Sequence, residues 1–356
     1  MKKLIALFLS LALLASLAGC AGTTVVVGNC TCPPDAHTPA ATPTDGPVVS
    51  EGAVKTGLAV IAKIDGSTPA TADANGKADY DVTVVAVTVD DNGVIQSCII
   101  DSVGTSVEFD AAGLPVNFDP EAEILTKNEK GDAYGMKAYA GSKYEWYEQA
   151  AALADYAVGK TVEELKSGAV NESGKAADAD LASVATISIG AYVDGIVKAV
   201  ANARTLGAEA GDQLKLAVIS SMDAGAGEEA GGSAELTVDV AAITMNGDVI
   251  TSCYIDALQA QVAFDGAGAL TTDVSAAPQT KNEKGEAYGM KAYAGAKFEW
   301  NEQAANFAAY ITGKTAADVA GIAITETTKP ADGTDLAASV TISIGGFQAL
   351  IEKAAK

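Results

Sequence analysis

Histidine is almost missing from this chain. His37 is the only one in 356 residues, and it lies near the N-terminus. Ser-His-Asp and Cys-His machinery, and any His-clustered metal site, are therefore excluded from everything downstream. Basic residues are scarce too: 23 Lys and Arg face 46 Asp and Glu, a formal charge of −23. A chain this acidic does not grip nucleic-acid phosphates. The charge is spread rather than blocked, as in a well-solvated exported protein. There is no D-x-D-x-D-G calcium loop, no P-loop, no G-x-S-x-G and no H-E-x-x-H. Only two tryptophans are present, Trp146 and Trp300, and they fall at matching places in two similar stretches.

The one long apolar run is terminal. MKKLIALFLSLALLASLAGC has a Lys2-Lys3 n-region and an apolar stretch from Leu4 to Leu17, too short and too terminal for an ordinary spanning helix. Leu17-Ala18-Gly19-Cys20 then resembles a bacterial lipobox, which implies a signal peptide over 1–19 and a lipid on Cys20. The plainer alternative is a secretory signal with a chance cysteine. A lipid anchor holds a protein at the membrane surface, on the extracytoplasmic face here, without spanning it. Losing Lys2 and Lys3 takes Lys and Arg from 23 to 21 against 46 acids, near −25. Residues 20–54 are rich in Thr, Pro, Ala and Gly without helical or strand period, and read as a disordered tether. Cys30 and Cys32 lie in it, as a disulfide, a redox pair or a mere tether feature.

The rest of the chain is written twice. GLAVIAKIDGS (57–67) matches KLAVISSMDAG (215–225), and VEFDAAG (107–113) matches VAFDGAG (262–268). DLASVATISIGAYVDGIVKAV (180–200) matches DLAASVTISIGGFQALIEKAA (335–355). Each copy has roughly 145 residues, a normal domain size. The copies are placed at 55–205 and 212–356, with the seam at Leu206 to Gly211.

Both copies carry the same pattern. LAVIAKI, YDVTVVAVTV, VIQSCIID and SVEFD read as four strands of the first copy, with Asn92-Gly93 and Asn246-Gly247 as type I′ hairpin centres. Cys98 and Cys253 fall in the returning strands as buried, inert thiols. Trp146, Ala150, Leu153 and Ala157 recur at helical spacing. Thr161-Val-Glu-Glu164 is a capping box, and Ile189 to Ala203 a last helix with Ser188 at its N-cap. Strands first and helices after give an α+β fold: two tandem copies of an antiparallel sheet with helices packed on one face.

One block has barely changed. TKNEKGDAYGMKAYAGSKYEWYEQA (126–150) and TKNEKGEAYGMKAYAGAKFEWNEQA (280–304) differ at four of twenty-five positions, while the flanking strands have drifted much further. Two readings are open. In the functional one, Tyr134, Tyr139 and Trp146 stack a planar ligand and Lys137 meets an anionic group, with Tyr288, Lys291 and Trp300 the matching residues of the second copy. In the structural one, the rings plug the core, the glycines make tight turns, and Lys and Glu form solvated pairs. Neighbouring glutamates such as Glu145 with Glu148 lack the opposed, differently buried arrangement that glycoside hydrolysis needs. The chain is thus expected to be no enzyme.

The strand pairs with a turn glycine, followed by D-L-A-S-V-A-T-I-S before the last helix, resemble the bacterial FMN-binding domain family. Its motif runs D-x-x-S-G-A-T-x-T-S, and in members with covalent flavin the Thr takes FMN through its phosphate from a separate transferase. Family members that are exported lipoproteins with two such domains relay electrons outside the membrane. The resemblance implies that Asp180, Ser183 and Thr186 fill the Asp, Ser and Thr of the motif, and Asp335 and Thr341 the Asp and Thr of the second. The motif Gly is replaced twice, by Val184 and by Ser339. A β-branched residue suits a strand better than a phosphate cradle, so SVATISIG also reads as a strand leading into a helix. The expectation is a membrane-anchored flavoprotein with FMN as cofactor, a small molecule or a redox partner as its contact, and electron transfer as its role. The alternative is a flavin-free surface lipoprotein that binds a ligand or partner; an exported hydrolase is a weaker rival.

Overall fold

Strand β2, Gly76–Val89, shows how the fold is built, because both of its faces are covered. Ala78, Tyr80, Val82, Val84 and Ala86 point into one core, and Val85, Val87 and Val89 into another. An unbroken apolar run such as VTVVAV belongs to a strand buried on both sides. A computed structural model describes residues 52–227 and 230–356 of the protein. The signal peptide, Cys20, Cys30, Cys32 and His37 lie outside them.

The first copy has strands β1 (Lys55–Lys63), β2, β3 (Ile95–Phe109) and β4 (Pro115–Val116), antiparallel in sequence order. Helices follow: α1 (Lys127–Lys130), α2 (Met136–Ala140), α3 (Trp146–Ala157), α4 (Val162–Gly168), α5 (Ala179–Val184) and α6 (Gly190–Ala201). The second copy has β5 (Gln213–Ala226), β6 (Gly231–Asn246) and β7 (Val249–Asp265). Its helices are α7 (Lys281–Lys284), α8 (Met290–Ala294), α9 (Trp300–Ile311), α10 (Ala316–Ala320) and α11 (Gly345–Ala355). The expected α+β class holds: two antiparallel sheets, each with helices on one face.

The opposite faces of the sheets meet each other. Leu58, Val60, Val82, Val84 and Phe109 share one core with Val218, Leu236, Val238, Val240 and Phe264. Phe109 and Phe264, at matching positions of the duplication, stack with centroids 4.1 Å apart. Tyr80 donates its hydroxyl to the Ala234 carbonyl at 2.7 Å, again across the copies. Gly113 has φ +73°, and a Cβ there would collide with the Asp265 carbonyl, so the second copy leaves room only for glycine. Each copy thus has its own sheet–helix core, and both share a third.

Several local expectations need correction. VIQSCIID and SVEFD are not two strands but parts of the single β3. The hairpins are not type I′ centred on Asn-Gly. In the first, Gly93 alone has φ > 0 and the Asp90 carboxylate accepts from the Asn92 and Val94 amides at 2.9 Å. In the second, Asn246 pairs with Val249 and the loop is Gly247-Asp248, with φ > 0 only at the glycine, the pattern of a type II′ turn. SVATISIG forms no strand: it is the end of α5 and an irregular link. Ile189, not Ser188, occupies the N-cap of α6, without a side-chain cap. The stripe on α3 and the Thr161–Glu164 box are as read.

Candidate functional site

The near-invariant block folds as three short helical turns leading into a long helix, and almost every conserved side chain in it has a partner. Thr126 and Glu129 form a capping box at α1. The Asn128 amide donates to Asp101 Oδ1 at 3.1 Å and its Nδ2 to the Ile100 carbonyl at 2.9 Å, which ties the block to β3. Lys127 places its ammonium 5.7 Å from the Tyr134 ring centre and 5.3 Å from that of Trp146. In the second copy Lys281 does the same with Tyr288 and Trp300, at 5.2 and 5.1 Å. Such desolvated cation–ring contacts are worth about 1–2 kcal/mol.

Glu145 is buried and caps the turn behind it. Its carboxylate accepts from the Met136 and Lys137 amides at 2.8 and 3.0 Å, and Glu299 accepts identically from Met290 and Lys291. Lys137 pairs with Glu148 at 2.6 Å, and Lys291 with Glu302 at 2.7 Å. The hydrogen-bonded Glu148 and Glu302 carboxylates raise the pKa of their lysines above the ordinary value. The lysines expected to meet an anionic ligand thus already hold internal carboxylates.

The copies are also braced against each other through the block. Glu129 takes Lys353 of α11 at 2.5 Å, and Glu283 takes Lys198 of α6 at 2.7 Å. Burial pushes both carboxyls up, but the lysine ammonium and the Thr126 or Thr280 amide outweigh it and hold them below the ordinary value. Behind them, burial raises Asp101, and raises Asp256 to about 6.

Gln149 and Gln303 are the residues that sequence reasoning passed over. Both are 0% exposed. Gln149 Oε1 accepts from the Thr186 amide at 2.7 Å, the Thr186 hydroxyl at 3.1 Å and the Ile187 amide at 3.1 Å. Its Nε2 donates to the Tyr144 carbonyl at 3.0 Å, back into the block. Gln303 repeats this with Thr341, Ile342 and the Phe298 carbonyl. One buried glutamine per copy therefore joins the block to the D-x-x-(S)-x-A-T segment. A polar side chain on the buried stripe of α3 was the available signal: Gln149 sits three and four residues from Trp146 and Leu153.

Thr186 and Thr341 are exposed, as are Asp180 and Asp335. Ser183, on the exposed side of α5, donates to the Asp180 carbonyl at 2.7 Å. Lys175 reaches the Thr186 carbonyl at 2.6 Å. Val184 ends a helix and has no positive φ, so this backbone does not demand the glycine of the family motif. The cradle itself is closed: the amides of Thr186 and Ile187 go to Gln149, and those of Ile189 and Gly190 to the Gly174 carbonyl. The Thr186 hydroxyl itself donates to the buried Gln149, so the polar groups of this turn are turned inward and leave no open nest of the kind that holds a loose phosphate.

Trp146 and Trp300, at 2% and 6% exposure, are core, not open stacking faces. The Trp146 indole N–H donates to Tyr192 at 3.1 Å, and Trp300 meets Phe347 edge-on instead. Tyr134 and Tyr288 are half-buried beside their lysines. Cys98 and Cys253 are unpaired, with burial pushing both thiols up and out of the reactive range. Tyr139 and Tyr293 are the exception to all this bonding. They are 90% and 91% exposed, on α2 and α8. Each ring lies over the preceding glycine, Gly135 or Gly289, where a Cβ would strike it. No packing duty explains the tyrosine itself.

In an alignment 99 residues long the chain is 37% identical to a chlorophenol reductase of Desulfitobacterium hafniense, covering 24% of this chain and 29% of that protein. The match thus spans less than a third of the relative. No family model matches the chain, and no solved structure matches it.

Proposed function

We propose that this protein is a lipid-anchored extracytoplasmic carrier whose two FMN-binding-like copies hold flavin on Thr186 and Thr341 and pass electrons to a redox partner. The observation that carries this reading is the repeated Gln149–Thr186 and Gln303–Thr341 geometry, in which a buried glutamine holds the hydroxyl of an exposed threonine in each copy. The resemblance of the surrounding segment to the family motif gives that hydroxyl its role. The partial likeness to a reductase supports a redox setting without extending that protein's substrate to this one. When bound, flavin supplies the electron chemistry. The chain's own residues position it: Gln149 and Gln303 orient the hydroxyls, Lys175 donates to the Thr186 carbonyl, and Tyr139 and Tyr293 are free aromatic faces of the same copies. The protein is a carrier, not a catalyst.

The test is co-expression with a flavin transferase, followed by visible absorption of the purified chain. The reading expects a flavin spectrum that is halved in Thr186→Ala or Thr341→Ala and absent in the double variant. Colourless wild-type protein would favour the second reading, a flavin-free lipoprotein that binds a ligand or partner. Tyr139 and Tyr293, bare in both copies, are the observation that favours it.

A further inference from the structure

The link after α6 runs beside α9, and between them lies a groove of about 290 Å3. That is close to the lower bound of small-molecule pockets, about 300 Å3. Leu206 of the link, Ile255 of β7, and Ala305 and Ala309 of α9 give it an apolar lining, with Asn301 in the first turn of α9 beside them. Arg204 and Tyr254 also reach the groove, but they are occupied with each other. The guanidinium stacks 4.8 Å from the ring centre and hydrogen-bonds the Tyr254 side chain, with the Asp256 and Glu283 carboxylates close by. The charges there are matched, so the groove calls for an uncharged occupant.

The Asn301 amide is the polar group left over. Its Oδ1 is buried and accepts no hydrogen bond, and its Nδ2 has no partner among the described residues. A buried acceptor without a donor is unfavourable and uncommon. A water satisfies such an oxygen, but it leaves the apolar lining around it wet. Asn301 is also one of the four positions at which the block differs between copies, with Tyr147 in the first. Tyr147 directs its hydroxyl to Asp132 at 3.3 Å. Ala309 likewise stands where the first copy has Asp155. On this wall the second copy thus has a bare amide and a methyl group in place of a large ring and a charge.

We propose that this groove binds a small uncharged molecule that carries a planar amide on an apolar ring. The ligand N–H donates to Asn301 Oδ1, its carbonyl accepts from Asn301 Nδ2, and the ring lies against Leu206, Ala305 and Ala309. Amide pairs with amide through one donor and one acceptor, so the match holds for either rotamer of the Asn301 head group. Binding here requires no flavin on Thr341.

Calorimetric titration of the full chain with benzamide tests it, with methyl benzoate as the uncharged analogue that lacks the N–H donor. The expected result is one saturable site for benzamide, with methyl benzoate weaker by roughly tenfold, because the Asn301 oxygen is then left unpaired. Asn301→Leu should remove the preference for benzamide over methyl benzoate. Ala309→Leu, at an exposed position, fills the groove; it should abolish binding of both while the thermal transition stays in place. Absence of saturable heat with benzamide would overturn the proposal. So would equal affinity for the two compounds, benzamide binding that Asn301→Leu and Ala309→Leu leave intact, or a crystal soak that shows only a water on Asn301.

Discussion

The two copies differ in the segment that leads to the motif threonine. The segment before Thr186 is a six-residue helix capped by Asp178, whereas the one before Thr341 is a three-residue 3-10 turn. Trp146 bonds Tyr192, whereas Trp300 meets Phe347. Against this drift, the block keeps its sequence because its residues have more than one partner each. Glu129 caps α1 and braces Lys353 of the other copy; Gln149 holds the block and Thr186 at once. A position with two obligations in two directions cannot change alone. Tyr139 and Tyr293 are preserved without such obligations, which separates them from the rest.

The comparison can be broken most severely at the tryptophans. Trp146→Ala or Trp300→Ala should each cost about 3–5 kcal/mol by denaturant melting. Because the copies share a core, either variant should lower one common transition instead of splitting it in two. Next comes the buried glutamine. Gln149→Leu leaves the Thr186 and Ile187 amides and the Tyr144 carbonyl without partners, at about 2–4 kcal/mol. Hydrogen exchange should show those two amides losing protection, and Gln303→Leu should do the same to Thr341 and Ile342.

Asp256 sharpens the comparison through pH. Burial raises its folded pKa to about 6, above an unfolded value of about 3.9. The folded state therefore holds the proton more tightly between these values. The stability from this group is present below about pH 4 and lost as pH rises through about 6, an amount near 2–3 kcal/mol. Asp256→Asn keeps an acceptor for the Asn282 amide and drops the charge. Its stability relative to wild type should rise from pH 4 to 7, measured by urea melts; a flat difference would contradict the burial argument. The smallest effect belongs to Tyr139→Ala and Tyr293→Ala. Stability should change by less than about 0.5 kcal/mol, while binding of flavin or partner weakens.

The fold class, the stripe on α3 and the capping box could be read from local pattern, because period and cap chemistry are short-range. The shared core could not. LTVDVAAI and VTVVAV show that strands are apolar, but not that the second face meets another copy rather than a helix. The extra strand at SVEFD is the end of one long strand, since β3 runs through Gly104 without interruption. In the candidate site, Thr186 and Thr341 were legible only through a resemblance, and the closed amide cradle around them was not legible at all. Trp146 and Trp300 were readable both as core and as ligand faces; their burial decides for core. Gln149 could be read as a polar side chain on the buried stripe of α3, but its partner could not, because a bond to Thr186 across 37 residues leaves no local trace.

The most direct measurement is the intact mass of the chain co-expressed with a flavin transferase, followed by peptide mapping. Two FMN adducts, one on the peptide containing Thr186 and one on that containing Thr341, are the result the account predicts. An unmodified mass under conditions that load a known acceptor would contradict it.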